Sequence, residues 1–194
     1  LAGQLAARDI VATAIAWIPK MRAAGADLVI ALCHSGIGAA EAVPGMEHAA
    51  VPLAAVDGVD VILAGHAHRL FPDDGFEPAP CAREAVDARR GTLHGRPAVM
   101  AGHGGRHLGV IDLALSAAAE DGGWRLAGAS AHLRRVGRHA PDPAVLTAAG
   151  GLDGFARARL ARRVGRVGTP LDTYFARVCD CAAVRLINAA QMDA

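Results

Sequence analysis

Two short apolar runs, each followed by histidine, restrict the possible folds of this chain more than any other feature. The first, 27–33, leads directly into His34, and the second, 59–64, leads through one glycine into His66 and His68. Continuous apolar runs of this length are typical of strands that are buried on both faces of a parallel sheet. We therefore expect two neighbouring strands whose ends carry histidine, which is where α/β sheets usually place functional sites.

Helical spacing of apolar residues predicts a helix before each strand, over 5–23 and over 46–56, the second disturbed by Pro52. Residues 71–90 are rich in Pro, Asp and Glu, and we interpret them as an exposed loop. Three shorter strands are then predicted to continue the sheet as antiparallel hairpins, over 97–101, 108–115 and 124–133.

The pattern changes near the C-terminus. It is helical over 142–163 and again over 171–191, and the break at 165–170 is the candidate domain boundary. The chain begins at Leu1 without an initiator methionine or a signal-peptide core, so we expect a fragment of a longer protein.

Composition limits the classes of partner. The formal net charge is +1, and no basic stripe with interleaved aromatic residues occurs, so we do not expect binding to a nucleic-acid polymer. The apolar runs are far shorter than the roughly 20 residues that cross a bilayer, so no membrane partner is expected either. The oligomeric state is left open by the sequence.

The strand-end histidines are suited to binding metal ions. Neutral imidazole nitrogen is a good ligand for Zn, Mn, Fe or Co, and a strand end holds such a ligand rigidly while leaving the metal open to substrate. The spacing of His66 and His68 lets their side chains face different metals of a two-metal site. A single histidine after a strand is usually an ordinary loop residue, but the two patterns together favour a metal site.

These histidines stand within longer stretches that carry a resemblance. The stretches are Ala-Gly-Ala-Asp-Leu-Val-Ile30 before His34-Ser-Gly, Gly-Val-Asp60 before Gly-His66-Ala-His68-Arg-Leu-Phe-Pro72, and the later runs 97–102 and 107–113. In this order they resemble the calcineurin-like metallophosphoesterases, and within them the 2′,3′-cyclic-nucleotide 2′-phosphodiesterase/3′-nucleotidase branch of the 5′-nucleotidase family. The resemblance covers nearly the whole chain.

The resemblance implies a fold class. It is α/β, the C-terminal half of a metallophosphoesterase-type α/β/β/α sandwich, followed by a linker helix and the start of a second α/β domain. The part of the catalytic domain would cover 1–140, the linker helix 141–165, and the start of the C-terminal substrate-recognition domain 166–194.

The resemblance also implies a site with two divalent metal ions, whether Mn, Zn, Fe or Co. His34 and His66 would bind one metal and His68 the other, and His107 would contact the substrate. The family's Asp-x-His, Gly-Asp and Gly-Asn-His motifs, which supply the bridging carboxylate and the catalytic histidine, do not occur in this sequence and are expected upstream of Leu1. The chain would therefore carry only part of the site, and we do not expect it to be active in isolation.

Two departures from the family pattern stand out. Glu47-His48 occurs where the family often has Glu-Asn, and residues 102–106 lack an expected Phe-Trp pair. His103 and His107 are spaced as a possible metal pair, but they flank a glycine loop, so we interpret both as ordinary loop histidines with respect to metal binding.

The implied activity is that of a hydrolase. Metal-activated water would hydrolyse a phosphate ester of a small nucleotide, in nucleotide catabolism in the periplasm. One alternative is a 5′-nucleotidase or UDP-sugar hydrolase relative, although His68 stands where those relatives often have Gln. Another is an inactive, truncated remnant that still binds metal.

Overall fold

The computed structural model describes residues 7–118, 122–137 and 139–193. The chain divides into two compact units, Leu1–His139 and Ala140–Ala194. The described helices and strands of the first unit are, in chain order, α1 (Ile10–Ala23), β1 (Ile30–Cys33), α2 (Ala50–Ala54), β2 (Val61–Ala64), β3 (Leu70–Phe71), a 3₁₀ turn (Pro80–Ala82), β4 (Val86–Asp87), β5 (Thr92–Leu93), β6 (Arg96–Ala101), β7 (His107–Ala117) and β8 (Trp124–Arg135).

Three parallel strands form the part of the sheet that positions the site. β1 pairs with β2, with Cys33 opposite Ala64, and β2 pairs with β6, with Ala64 opposite Met100. On its other side β6 has antiparallel partners, β5 near its start and β3 near its end, and β4 pairs with β5. The long β7 and β8 form a separate antiparallel sheet. Helices alternating with parallel strands confirm the α/β class.

The predicted strand over 97–101 forms as β6, but its predicted direction is wrong. It does not continue the sheet from β2 as an antiparallel hairpin, because it runs parallel to β2. Parallel neighbours require a long crossover connection, and the segment between the two strands is long enough to provide one. β7 and β8 form the predicted antiparallel hairpin, but the prediction that they continue this sheet is wrong, because they pair as a separate two-stranded sheet.

The interpretation of 71–90 as an exposed loop is wrong in part, because several of its apolar residues are buried although its charged residues are mostly exposed. Phe71 is completely buried and its ring meets that of Phe76 edge-to-face, with centroids 5.1 Å apart. Val86 is buried in β4. The charged residues that suggested a loop, such as Asp73 and Asp74, are exposed. Several apolar residues of the same segment are buried.

β1 is also less buried than its sequence suggested. Cys33 is buried, but Ile30 is 49% exposed and Leu32 is 82% exposed, so burial on both faces is not observed. In the described part of the sheet β1 is the edge strand, with β2 as its partner. Burial of the Cys33 thiol raises its pKa to about 11.

The first two helices are shorter than predicted. The α1 helix begins at Ile10 because the Asp9 carboxylate caps it by accepting from the Ala12 amide at 2.8 Å; residues 5 and 6 of the prediction lie outside the described residues. The predicted helix over 46–56 forms only as α2. Before α2, the Glu47 carbonyl and the Ala49 amide form hydrogen bonds with the Ser35 side chain, and these bonds compete with helix formation.

The second unit contains two helices in the described ranges, α3 (Pro143–Leu160) and α4 (Ala182–Met192), and neither contains a buried residue. The prediction of a helix over 142–163 is close to α3, but helix over 171–181 is wrong. Asp172 accepts from the Tyr174 amide at 3.1 Å, and short turns follow, because this side-chain bond competes with helix formation. Among the helices in the described ranges, none is long and apolar enough to cross a membrane.

A half-buried carboxylate connects α1, β1 and the start of β2. Asp60 Oδ2 accepts from the Val29 amide at 2.7 Å and from Arg22 Nη2 at 2.5 Å. The Arg22 guanidinium also donates to the Gly58 carbonyl at 2.9 Å. This network aligns the start of both strands.

We predict that Asp60→Ala lowers the free energy of unfolding by about 2 kcal/mol, because it leaves a buried amide and a half-buried guanidinium without their shared acceptor. Asp57→Ala is the control: Asp57 is exposed, three residues earlier, and its removal should change stability by less than about 0.5 kcal/mol. Urea unfolding followed by circular dichroism measures both. Equal midpoints for the two variants would contradict this role of Asp60.

Candidate metal centre

Histidines follow all three parallel strands at the edge where their carboxyl ends meet. His34 follows β1, His66 and His68 follow β2, and His103 follows β6. The rings of His34 and His66 are 5.2 Å apart between centroids, and those of His68 and His103 are 5.0 Å apart. The structure thus brings the predicted metal-binding residues to one edge of the sheet.

The turn after β2 has an uncommon backbone conformation at both of its histidines. His66 has φ 65° and His68 has φ 56°, in the left-handed region that residues other than glycine seldom occupy. The Ala67 amide donates to the Gly65 carbonyl at 2.7 Å, which tightens the turn. Such conformations cost energy and concentrate at functional sites. The His66 ring lies beside those of His34 and His48, and the His68 ring lies beside that of His103.

His103 is a member of this group that the sequence analysis missed. It was interpreted as an ordinary loop histidine because it sits among glycines and not on a helix. Its place beside His68 depends on β6 being parallel to β2, which was not predicted. A signal was nevertheless present, since β6 is followed by Gly102 and His103 in the same strand-Gly-His order that follows β2.

A buried hydroxyl holds the loop after β1 in place. Ser35 is completely buried, and its Oγ donates to the Glu47 carbonyl at 2.6 Å and accepts from the Ala49 amide at 2.7 Å. Its own carbonyl accepts from the Gly65 amide at 3.1 Å. Ser35 therefore joins the ends of β1 and β2 and fixes the backbone on both sides of His48.

Glu47 and His48 lie against His66. Glu47 Oε1 is 2.7 Å from His66 Nε2, and one potential ligand atom from each of Glu47, His48 and His66 lies within 4.8 Å of the others. The hydrogen bond from His66 holds the pKa of Glu47 below its usual value, and the nearby His48 lowers it further. The side chain is therefore a carboxylate at neutral pH.

The His48 ring lies in a space that two glycines provide. A Cβ added to Gly36 would lie 2.7 Å from His48 Nδ1, and one added to Gly38 would lie 2.6 Å from His48 Cβ. His48 Nδ1 is buried and has no hydrogen-bond partner among the described residues. Neither Glu47 nor His48 was predicted as a site residue; their contact with His66 depends on the loop that Ser35 holds.

His107, the predicted substrate contact, lies at the start of β7 and lines a different hollow. That hollow also includes Asp73, Arg89, His132 and Arg135, but its described lining contains none of the strand-end histidines. The predicted role of His107 therefore stays a prediction.

Comparison with known proteins finds relatives of this chain. No family model matches the chain. It is 34% identical over 198 residues to the 2′,3′-cyclic-nucleotide 2′-phosphodiesterase/3′-nucleotidase of Salmonella typhimurium, covering 98% of this chain and 30% of that protein. It is 34% identical over 194 residues to the trifunctional nucleotide phosphoesterase protein YfkN of Bacillus subtilis, covering 98% of this chain and 13% of that protein.

A solved structure agrees. The crystal structure of the calcineurin-like phosphoesterase YfkN from Bacillus subtilis matches with a TM-score of 0.73 and 34% identity, over 84% of this chain and 48% of that one. The chain is homologous to the calcineurin-like phosphoesterases. The expected fold class is confirmed over the matched part, and the chain spans about 30% of the length of the Salmonella relative.

The donor set at this edge fits divalent metal ions. Imidazole nitrogens combined with a carboxylate oxygen are ligands that Zn and neighbouring transition metals accept. The buried Nδ1 of His48 is a further imidazole nitrogen at this edge without a hydrogen-bond partner among the described residues. His34, His66 and His68 are exposed, so the edge is open to small molecules.

We predict that Ser35→Ala lowers the free energy of unfolding by about 2 kcal/mol, because the Ala49 amide and the Glu47 carbonyl both lose a buried partner. Ser116→Ala on the exposed part of β7 is the matched control and should be nearly neutral. Thermal or urea unfolding compares the two. A Ser35 variant as stable as the Ser116 variant would show that the hydroxyl is dispensable.

Proposed function

We propose that this chain contributes His34, His66 and His68 to a two-metal centre that hydrolyses phosphate esters of nucleotides. The proposed reaction is that of a 2′,3′-cyclic-nucleotide 2′-phosphodiesterase/3′-nucleotidase, the name that the Salmonella relative carries. The observation that supports it best is the meeting of these histidines at the carboxyl edge of three parallel strands, in a calcineurin-like fold. The proposed location is the periplasm.

The assignment of ligands is the one that the family resemblance implies, and the close approach of the His34 and His66 rings supports it. His34 and His66, whose rings are edge-to-face, would hold one divalent ion, and His68 would hold the other. When bound, such ions supply positive charge to the phosphoryl oxygens and lower the pKa of water. The remaining ligands and the catalytic histidine belong to motifs that the printed sequence does not contain.

The residues of this chain have defined tasks in that site. His66 and His68 have left-handed backbone conformations, and their two imidazole rings are assigned to different ions. Gly65 adds no side chain beside them. Ser35 keeps the ends of β1 and β2 together, so the imidazoles need little reorganisation to bind. His107 is proposed to contact substrate from the start of β7.

The first test measures turnover of the whole protein to which this stretch belongs. We expect His68→Ala to lower kcat for a 2′,3′-cyclic nucleotide by at least about 100-fold while the circular dichroism spectrum is unchanged, because the residue binds an essential ion and not the core. His139→Ala, at an exposed coil position, is the control. Normal turnover by the His68 variant would refute its assignment as a ligand.

The second test removes the metal. We expect dialysis against a chelator to abolish hydrolysis of 2′,3′-cyclic and 3′-nucleotides, and Mn²⁺, Co²⁺ or Zn²⁺ to restore it. A 5′-nucleotide and a UDP-sugar are the comparison substrates. Faster hydrolysis of those two would favour the 5′-nucleotidase alternative, and no hydrolysis of any substrate with metal bound would favour an inactive remnant.

A further inference from the structure

A carboxylate and two imidazoles converge beside the proposed centre without having been assigned to it. Glu47 Oε1 lies 2.7 Å from His66 Nε2, and the rings of His48 and His66 are 5.7 Å apart between centroids. One ligand atom from each of the three residues lies within 4.8 Å of the others. Small side-chain movements would bring all three atoms onto one ion.

We propose that Glu47, His48 and His66 together form a binding site for a divalent transition metal ion such as Zn²⁺ or Co²⁺. The proposal goes beyond the function proposed above: it shares His66 with that centre, adds Glu47 and His48 as ligands, and requires no hydrolysis. Two nitrogen donors and one carboxylate oxygen are a donor set that Zn²⁺ accepts, and they leave a coordination position open.

The buried nitrogen of His48 is a second observation at this cluster. Buried polar atoms in proteins are nearly always hydrogen-bonded, and an unsatisfied one calls for an explanation. His48 Nδ1 is buried with no partner among the described residues, while the ring lies against Gly36 and Gly38. A ring held in this way has lost most of its conformational freedom before any ion binds, which favours its use as a ligand.

The backbone around His48 is held by hydrogen bonds, whereas the Glu47 side chain is free to turn. The backbone on both sides of His48 is bound to Ser35, and the Ala50 amide donates to the Gly36 carbonyl at 3.1 Å. The Glu47 side chain is 71% exposed, so it can turn toward an ion without displacing core atoms.

The test is a Co²⁺ titration of the 194-residue chain, followed by the visible absorption of the bound ion, with Zn²⁺ affinity measured by competition. We expect one ion to bind with the intense bands of a low-coordinate site. Glu47→Gln, His48→Asn and His66→Ala should each weaken binding by about 100-fold or more and alter the bands, since each removes a ligand. His139→Ala should bind as the parent does.

Glu47→Gln and His48→Asn separate this proposal from the phosphoesterase centre, because neither residue is assigned to that centre. Loss of Co²⁺ binding in both variants supports this site whatever the reaction is. Parent-like Co²⁺ binding by His48→Asn would overturn the proposal.

A measurement on the unaltered chain guards against variants that fail to fold. Nitrogen-15 NMR of the imidazoles should show large shifts for His48 and His66 when Zn²⁺ is added, and no shift for His139. The shifted atom also identifies which His48 nitrogen binds. If His66 shifts and His48 does not, His48 is no ligand and the proposal is wrong.

Discussion

Ser35 joins three parts of the chain: the loop that follows β1, the segment around His48 and the end of β2. Its hydroxyl oxygen binds the backbone on both sides of His48, and its own carbonyl accepts from the Gly65 amide at the end of β2. Because the group is completely buried, both bonds form where water cannot replace them. The positions of His34, Glu47 and His66 relative to one another all depend on this connection.

The sheet supplies the complementary constraint. Parallel pairing places the carboxyl ends of β1, β2 and β6 at one edge, and each is followed by a histidine. The positive φ angles at His66 and His68 oppose the local preference of the backbone, so the surrounding hydrogen bonds must outweigh their cost. The unfavourable turn persists because it is anchored at Gly65, which is bound to the loop after β1.

The sequence predicted the parts of this arrangement that depend on local pattern. The runs ending at His34 and before His66 were correctly interpreted as neighbouring strands, because continuous apolar stretches are visible without tertiary information. The direction of β6, and with it the place of His103, was missed because parallel pairing depends on contacts distant in sequence. The burial of Phe71 and Phe76 was not predicted for a related reason. Two apolar residues among many charged ones form no periodic pattern that would indicate a buried element.

Glu47 shows why a metal centre is harder to predict than the fold that carries it. A histidine after a strand can be identified from sequence, whereas Glu47 precedes a helix and reaches His66 only through a folded loop. Histidine ligands are neutral, so the charge balance of the site depends on its carboxylates. The described residues bring a single carboxylate to several imidazoles, so the charge of divalent ions in the proposed centre would have to be balanced largely by carboxylates of motifs that this sequence does not contain.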